Sequence, residues 1–249
     1  MTALVSRDID YTHDGTRMIG HLCAPAGSES LPGVLLIHDA FGLSDDMIAT
    51  ARRIAEDGYA VFAADLWGER RLPLAESEIG PLIESLAGDR ARWMARVAAA
   101  RGAAAAQPEF DGSAIAVLGY CFGGSTALEY VRTGGAVHGA VSIHGGLDLI
   151  EFDWSAPAPA ASVLVCTGAD DPMAPAEALT RLTDAMSAAG VDWEVDLYGN
   201  TKHAFTNPKA AHSPTPEVIA YNPRSAARAR ESSMRFLGGL IPGPRPATS

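Results

Sequence analysis

The chain alternates short, uniformly apolar runs with longer amphipathic stretches. GVLLIH at 33–38, YAVFAA at 59–64, IAVLGY at 115–120, GAVSIH at 139–144 and SVLVCT at 162–167 are apolar at odd and even positions alike. Runs of this length, rich in Val and Ile and bounded by turn residues, predict strands buried on both faces. A sixth such strand is predicted at 193–198. Ahead of them, 9–12 and 16–23 flank His13, Asp14 and Gly15, and Asp-Gly between β-prone runs predicts a hairpin. Between the strands the pattern predicts helices: one capped by Ser44 and stopped by Gly58, one over 89–106 with Pro108 beyond it, and one over 122–132. Two more follow, over 175–189 with Gly190 as the stop, and over 225–240. Residues 66–88 read as a loop followed by helical patches. Strands alternating with helices predict a single α/β domain over 1–249, with a mostly parallel central sheet, helices on both faces and an N-terminal β-hairpin. No internal repeat is visible, and the tail at 242–249 is expected to fray.

Composition narrows the function. At 249 residues and 47% hydrophobic, the chain can bury a sizeable core. Nineteen lysines and arginines against thirty aspartates and glutamates leave a net charge of −11, which speaks against binding to nucleic acid or to anionic membranes. No apolar run approaches the roughly 20 residues of a membrane span, and MTALVSRDIDYTHDG contains no signal core. Cys23, Cys121 and Cys166 have no CxxC spacing, so neither a disulfide scaffold nor a zinc ribbon is expected. His13, His21, His138 and His212 have no neighbours that suggest a metal. The expectation is a cytoplasmic monomer or homodimer acting on a small molecule, without metal or organic cofactor.

The chemistry concentrates at Gly119-Tyr120-Cys121-Phe122-Gly123-Gly124, where a predicted strand meets a predicted helix. This is the nucleophile-elbow pattern G-x-S-x-G with Cys in the Ser position. The turn is so tight that side chains two residues either side of the nucleophile collide with backbone. Its product is a thiol at a helix N-terminus, where the dipole and free N–H groups favour a thiolate and an oxyanion. In such folds an acid and then a His follow the nucleophile, each in a loop after a later strand. GADDP at 168–172 and KHAF at 202–205 occupy those places, with Asp171 50 residues after Cys121 and His203 32 after Asp171. Asp170 and Asp171 compete for the acid, and the restricted backbone before Pro172 favours Asp171. Cys23 and Cys166, inside strands, read as inert packing residues. His144, at a strand end, reads either as lining the rim of the site or as a structural histidine.

The chain resembles the dienelactone hydrolase family of α/β-hydrolases over roughly residues 8–240. The motifs that carry the resemblance are GYCFGG at 119–124, GADDP at 168–172, KHAF at 202–205 and LLIHDAFGL at 35–43. It implies Cys121, Asp171 and His203 as catalytic residues, with the acid at the third position after the loop glycine. It also implies oxyanion donors at the backbone of Phe122 and of Ala40 or Phe41. The family usually carries a thiol-contacting Glu where this chain has the shorter Asp39, which reads either as activating the thiol or contacting substrate, or as only ordering its loop. Members specific for dienelactone carry two arginines that hold the substrate carboxylate. One position is Asn207 here. The other is Glu69, with Arg70 one place later and Arg71 beyond it; Trp67 reads either as a wall of the pocket or as a core or surface residue. An amide does not replace a bidentate Arg–carboxylate clamp. The resemblance with these departures implies a cysteine hydrolase of small neutral esters or lactones acting through a thioester. The alternatives are the same residues acting on phosphotriesters, a non-catalytic binding module, and a redox-sensing thiol.

Overall fold

A computed structural model describes residues 3–241, so the tail expected to fray lies outside the described residues. The chain divides into two compact units. One runs to residue 117 and takes back the chain from 238, and the other spans 118–237.

The first unit holds β1 (Leu4–His13), β2 (Thr16–Pro25), β3 (Leu31–Ile37), β4 (Ala60–Ala64) and the start of β5 (Phe110–Tyr120), in the order β1-β2-β4-β3-β5. Its helices are α1 (Asp45–Glu56), α2 (Ile79–Ala87) and α3 (Arg90–Ala105). β1 and β2 form the predicted antiparallel hairpin, paired from His13–Thr16 back to Leu4–Pro25. Asp14 and Gly15 both have positive φ, +50° and +72°, as a two-residue type I′ turn demands. β1 starts five residues earlier than the pattern at 9–12 suggests, because its main-chain ladder continues past the apolar residues. β2 then pairs antiparallel to β4, and β4 parallel to β3. All five residues of β4 are buried, so both faces of that strand are covered.

The second unit holds the end of β5, then α4 (Phe122–Arg132), β6 (Gly139–Ile143), β7 (Ser162–Gly168), α5 (Ala176–Ala188), β8 (Asp192–Tyr198) and most of α6 (Pro223–Leu240). The order is β5-β6-β7-β8, with β6–β7 and β7–β8 parallel. All five residues of β6 are buried as well.

Helix ends show what the pattern conceals. Ser44 occupies the N-cap of α1, yet its side chain makes no capping bond. The start of α1 is instead favoured by Asp45 and Asp46 against the helix dipole. Asp89 does cap α3, accepting from the Arg92 N–H at 3.0 Å. Along α3, Trp93, Val97, Ala100 and Ala104 form the buried stripe expected of a core-facing helix. The irregular 66–88 segment resolves into a loop, a 3-10 turn at Glu76–Glu78 and α2, whose Pro81 falls in the first turn where it is tolerated. α6 starts at Pro223 rather than 225, with Asn222 accepting from the Ser225 N–H at 3.2 Å. The signal was Asn-Pro, a cap followed by a proline already shaped for the first helical position. No helix of the described residues is long and apolar enough to cross a membrane.

Candidate active site

Cys121 sits between the end of β5 and the start of α4 with φ +53° and ψ −119°. A non-glycine residue held there carries on the order of 1–3 kcal/mol of strain and persists only where its surroundings over-determine it. They do so here. The Cys121 N–H donates to the Ile143 carbonyl at 3.0 Å and to His144 Nδ1 at 3.2 Å. Its carbonyl accepts from the Gly124 and Ser125 N–H groups at 2.8 and 3.2 Å. Glycine is required at 119 for the reason the motif suggests, and a second close approach is made at 124. A Cβ on Gly119 would lie 1.9 Å from the Gly123 carbonyl oxygen, and one on Gly124 would lie 2.9 Å from Gly145 Cα. The turn delivers a half-buried thiol to the N-terminus of α4, the positive end of its dipole.

Two loops bring partners to that thiol. After β7, the Ala169 N–H donates to the Tyr198 carbonyl and that of Asp170 to Thr201, which ties the acid-bearing loop to the end of β8. Asp170 points to solvent, while Asp171 is 3% exposed and accepts from the Met173 N–H at 2.8 Å. After β8, the His203 N–H donates to the Val218 carbonyl, and its own carbonyl accepts from Ala220. His203 is 2% exposed; its Nδ1 lies 2.9 Å from Asp171 Oδ2 and its Nε2 3.1 Å from Cys121 Sγ. Burial opposes the imidazolium. The Cys121 sulfur and the Asp171 carboxylate outweigh it and push the His203 pKa up to about 10. Its place between the Cys121 sulfur and the Asp171 carboxylate thus favours the protonated form of the His203 ring.

His144 is 3% exposed, immediately after β6, with φ +40°. Its Nδ1 accepts from the Cys121 N–H, so its Nε2–H donates to Thr206 Oγ1 at 2.8 Å. Burial first, and the neighbouring His203 second, hold its pKa well below the usual value, so it stays neutral. Its ring meets those of His203 at 5.3 Å and Phe205 at 5.2 Å, both edge to face. Asn207 caps a 3-10 turn at Pro208–His212, accepting from the Lys209 N–H at 2.9 Å. Cys166 is buried in β7 and its thiol is pushed up to about 12 by burial; burial likewise raises Cys23.

The remaining candidates lie in the first unit. Asp39 accepts from the Phe41 N–H at 2.9 Å, closing the loop after β3, with Ala40 buried between them. His38 is fully buried, donating from Nδ1 to the Asp39 carbonyl and accepting at Nε2 from the Leu66 N–H. Trp67 is 6% exposed, its ring 5.2 Å from that of His38. The loop carrying it is organised by the buried Asp65, which accepts from the N–H groups of Ile19, Gly68 and Arg70, and by Arg96, which donates to the Leu66 carbonyl. The Arg70 guanidinium donates to Asp8 at 2.7 Å, and Arg71 to Glu78 at 3.0 Å. Thr206 carried no signal in the sequence, because a Thr two residues before a proline reads as loop.

A thiol on a strained strand–helix turn, followed in the chain by an acid loop and a histidine loop, is the layout of an α/β-hydrolase. The chain belongs to the dienelactone hydrolase family, whose model matches residues 18–240, and so to a family of hydrolases acting on small molecules. It is similar to a solved structure described as a dienelactone hydrolase-like promiscuous phosphotriesterase, P91, from metagenomic libraries. The two are 37% identical with a TM-score of 0.90, over 96% of this chain and 99% of that one. A Yersinia pestis protein named "Putative carboxymethylenebutenolidase" is 27% identical over 199 residues, 70% of this chain and 68% of that protein. A Bradyrhizobium protein named "Probable 2-oxo-3-(5-oxofuran-2-ylidene)propanoate lactonase" is 24% identical over 95% of each chain.

Proposed function

We propose that the chain hydrolyses small carboxylic esters or lactones with Cys121 as nucleophile. His203 is the general base and acid, and Asp171 the carboxylate that orients it. The observation that carries this reading is the run of contacts Cys121 Sγ to His203 Nε2 at 3.1 Å and His203 Nδ1 to Asp171 Oδ2 at 2.9 Å. In the first step the sulfur bonds to the ester carbonyl carbon, and the carbonyl oxygen takes the negative charge at the N-terminus of α4, where Phe122 follows the nucleophile. The C–O bond then breaks, and the His203 proton leaves with the alkoxide. In the second step His203 takes a proton from water, hydroxide adds to the thioester, and the thiolate departs.

Substrate charge follows from two side chains. Where the family resemblance expects arginines for a substrate carboxylate, Asn207 is committed to a turn and Arg70 to Asp8. Neutral esters and lactones are therefore the substrates proposed. A second reading, phosphotriester hydrolysis by the same thiolate, is favoured by the 37% identity to a protein described as a promiscuous phosphotriesterase.

Aryl acetates, simple lactones and a neutral phosphotriester, assayed with the wild type and Cys121→Ala, test both readings. Ester turnover that disappears in Cys121→Ala supports the nucleophile, and retained turnover overturns it. A phosphotriester rate above that of the best ester makes the second reading the primary one.

A further inference from the structure

We infer that His144 is a positioning residue, a neutral strut that sets the distance between Cys121 and His203 by bonding to the backbone of one and to the loop of the other. This rests on the proposed roles of Cys121 and His203, and adds a residue that those roles do not require.

The geometry is a continuous chain of bonds. The Cys121 N–H donates to Nδ1 of His144 at 3.2 Å, and Nε2–H of the same ring donates to Thr206 Oγ1 at 2.8 Å. Thr206 lies three residues after His203, across Ala204 at φ +55° and the fully buried Phe205. One planar ring thus spans from the elbow backbone to the histidine loop. Both of its ends are fixed independently. His144 follows β6, whose last residue, Ile143, also accepts from the Cys121 N–H, and the His144 N–H donates to the Cys166 carbonyl at 2.8 Å. The ring is pinned laterally by His203, Phe205 and Tyr120.

The strut works only as the neutral tautomer. Protonation of Nδ1 would turn an acceptor into a donor facing the Cys121 N–H and set a second cation beside His203. The groups of charge or titration around the ring are His203, Asp171 beyond it, the Cys121 thiol and the Tyr120 phenol. The Thr206 hydroxyl, by accepting from Nε2–H, selects the tautomer that leaves Nδ1 free to accept. A phenylalanine at 144 keeps the ring and loses both bonds. An asparagine keeps an acceptor near the Nδ1 position and loses the reach to Thr206. Displacing a nucleophile from its base by a fraction of an ångström to an ångström lowers turnover by roughly ten- to a hundredfold.

The test measures kcat, KM and the rate of iodoacetamide alkylation of Cys121 across pH, in His144→Phe, His144→Asn, Thr206→Val and the double variant His144→Phe/Thr206→Val. His144→Phe is expected to lower kcat at least about tenfold with KM within about twofold, and to slow alkylation on the acid side of the profile. His144→Asn is expected to fall between wild type and His144→Phe. Thr206→Val is expected to cost about three- to tenfold alone and nothing further in the His144→Phe background, because the hydroxyl acts through the ring. A merely structural role moves melting temperature and leaves alkylation of the folded fraction unchanged. Additive effects in the double variant, or wild-type alkylation and kcat in His144→Phe, overturn the strut. If His144→Phe does not fold, Thr206→Val alone and in the His144→Asn background gives the same answer. Cys121→Ala with full activity would instead overturn the reading on which the strut rests.

Discussion

Two runs of carboxylate, histidine and thiol or hydroxyl stand out among the described residues, each joined by short contacts. In the second unit, Asp171, His203 and Cys121 are joined by contacts of 2.9 and 3.1 Å. On the N-terminal hairpin, Asp8, His21 and Ser6 are joined by contacts of 2.5 and 2.9 Å, because Ser6 and Asp8 share one face of β1 opposite Cys23 and His21 of β2. What separates them is everything around the bonds. The Asp171 side chain has no exposure and that of Asp8 is 52% exposed. Asp8 is shared with Arg70, and Ser6 Oγ accepts from Arg52, so the hairpin's charges are already answered. Ser6 sits inside a regular strand, whereas Cys121 is held at positive φ at the start of a helix. The two runs thus share a hydrogen-bond pattern and differ in burial, backbone strain and the presence of a helix N-terminus.

Removing the carboxylate from each run should break the likeness most widely. Asp171→Asn leaves the His203 imidazole without its orienting anion and is expected to lower kcat by roughly 10³–10⁴-fold. Asp170→Asn, Asp8→Asn and Ser6→Ala are each expected to stay within about threefold, measured as steady-state ester hydrolysis. A loss in Asp8→Asn comparable to that in Asp171→Asn would remove the distinction drawn above.

Arg70 is paired with Asp8 of the hairpin. Neutral aryl esters are expected to be cleaved at least about tenfold better than analogues with a carboxylate beside the scissile bond, since each charge-assisted hydrogen bond forgone is worth roughly 1.5–3 kcal/mol. Asn207→Arg is expected to narrow that ratio. An anionic lactone as best substrate would show that another cation supplies the clamp.

A smaller effect is a matter of acid stability. The folded-state pKa of His144 is depressed below its ordinary 6.5, so below that pH the unfolded chain binds a proton that the folded chain refuses. His144 therefore withdraws stability as pH falls through 6.5, by up to about 1.4 kcal/mol per pH unit, and has no effect above it. Urea unfolding at about pH 7.5 and pH 5 should show a shallower loss in His144→Phe than in wild type. His38, also buried and held neutral, accounts for part of the slope that remains. Equal slopes in the two proteins would contradict a neutral, buried His144.

Much of this was legible in the chain. Uniformly apolar runs marked β3 to β7 because strands buried on both faces have no polar alternation to hide. The elbow glycines announced Cys121 because no other residue fits at Gly119. The proline after Asp171 favoured it over Asp170, and Asp171 is the one that lies 2.9 Å from His203. The hairpin run was not legible, because pairing Ser6 with Cys23 depends on a register that the turn sets five or more residues away. Nor was the His144–Thr206 bond, which joins residues 62 positions apart: His144 stood out at a strand end, but nothing local pointed to Thr206. Ser44 shows the reverse error: the right residue at a helix start, with its side chain unused.

The central claim is that Cys121 carries the acyl group between the two steps. Acid-quenching the protein during turnover of an activated acetate ester, followed by peptide mass mapping, tests it directly. The account predicts one acetyl group, labile to hydroxylamine as a thioester is, on the peptide containing Cys121, and none on Ser6, Cys23 or Cys166. Acetyl found on Ser6, or turnover with no acyl-enzyme in the wild type and in a slowly deacylating Asp171→Asn variant alike, would contradict it.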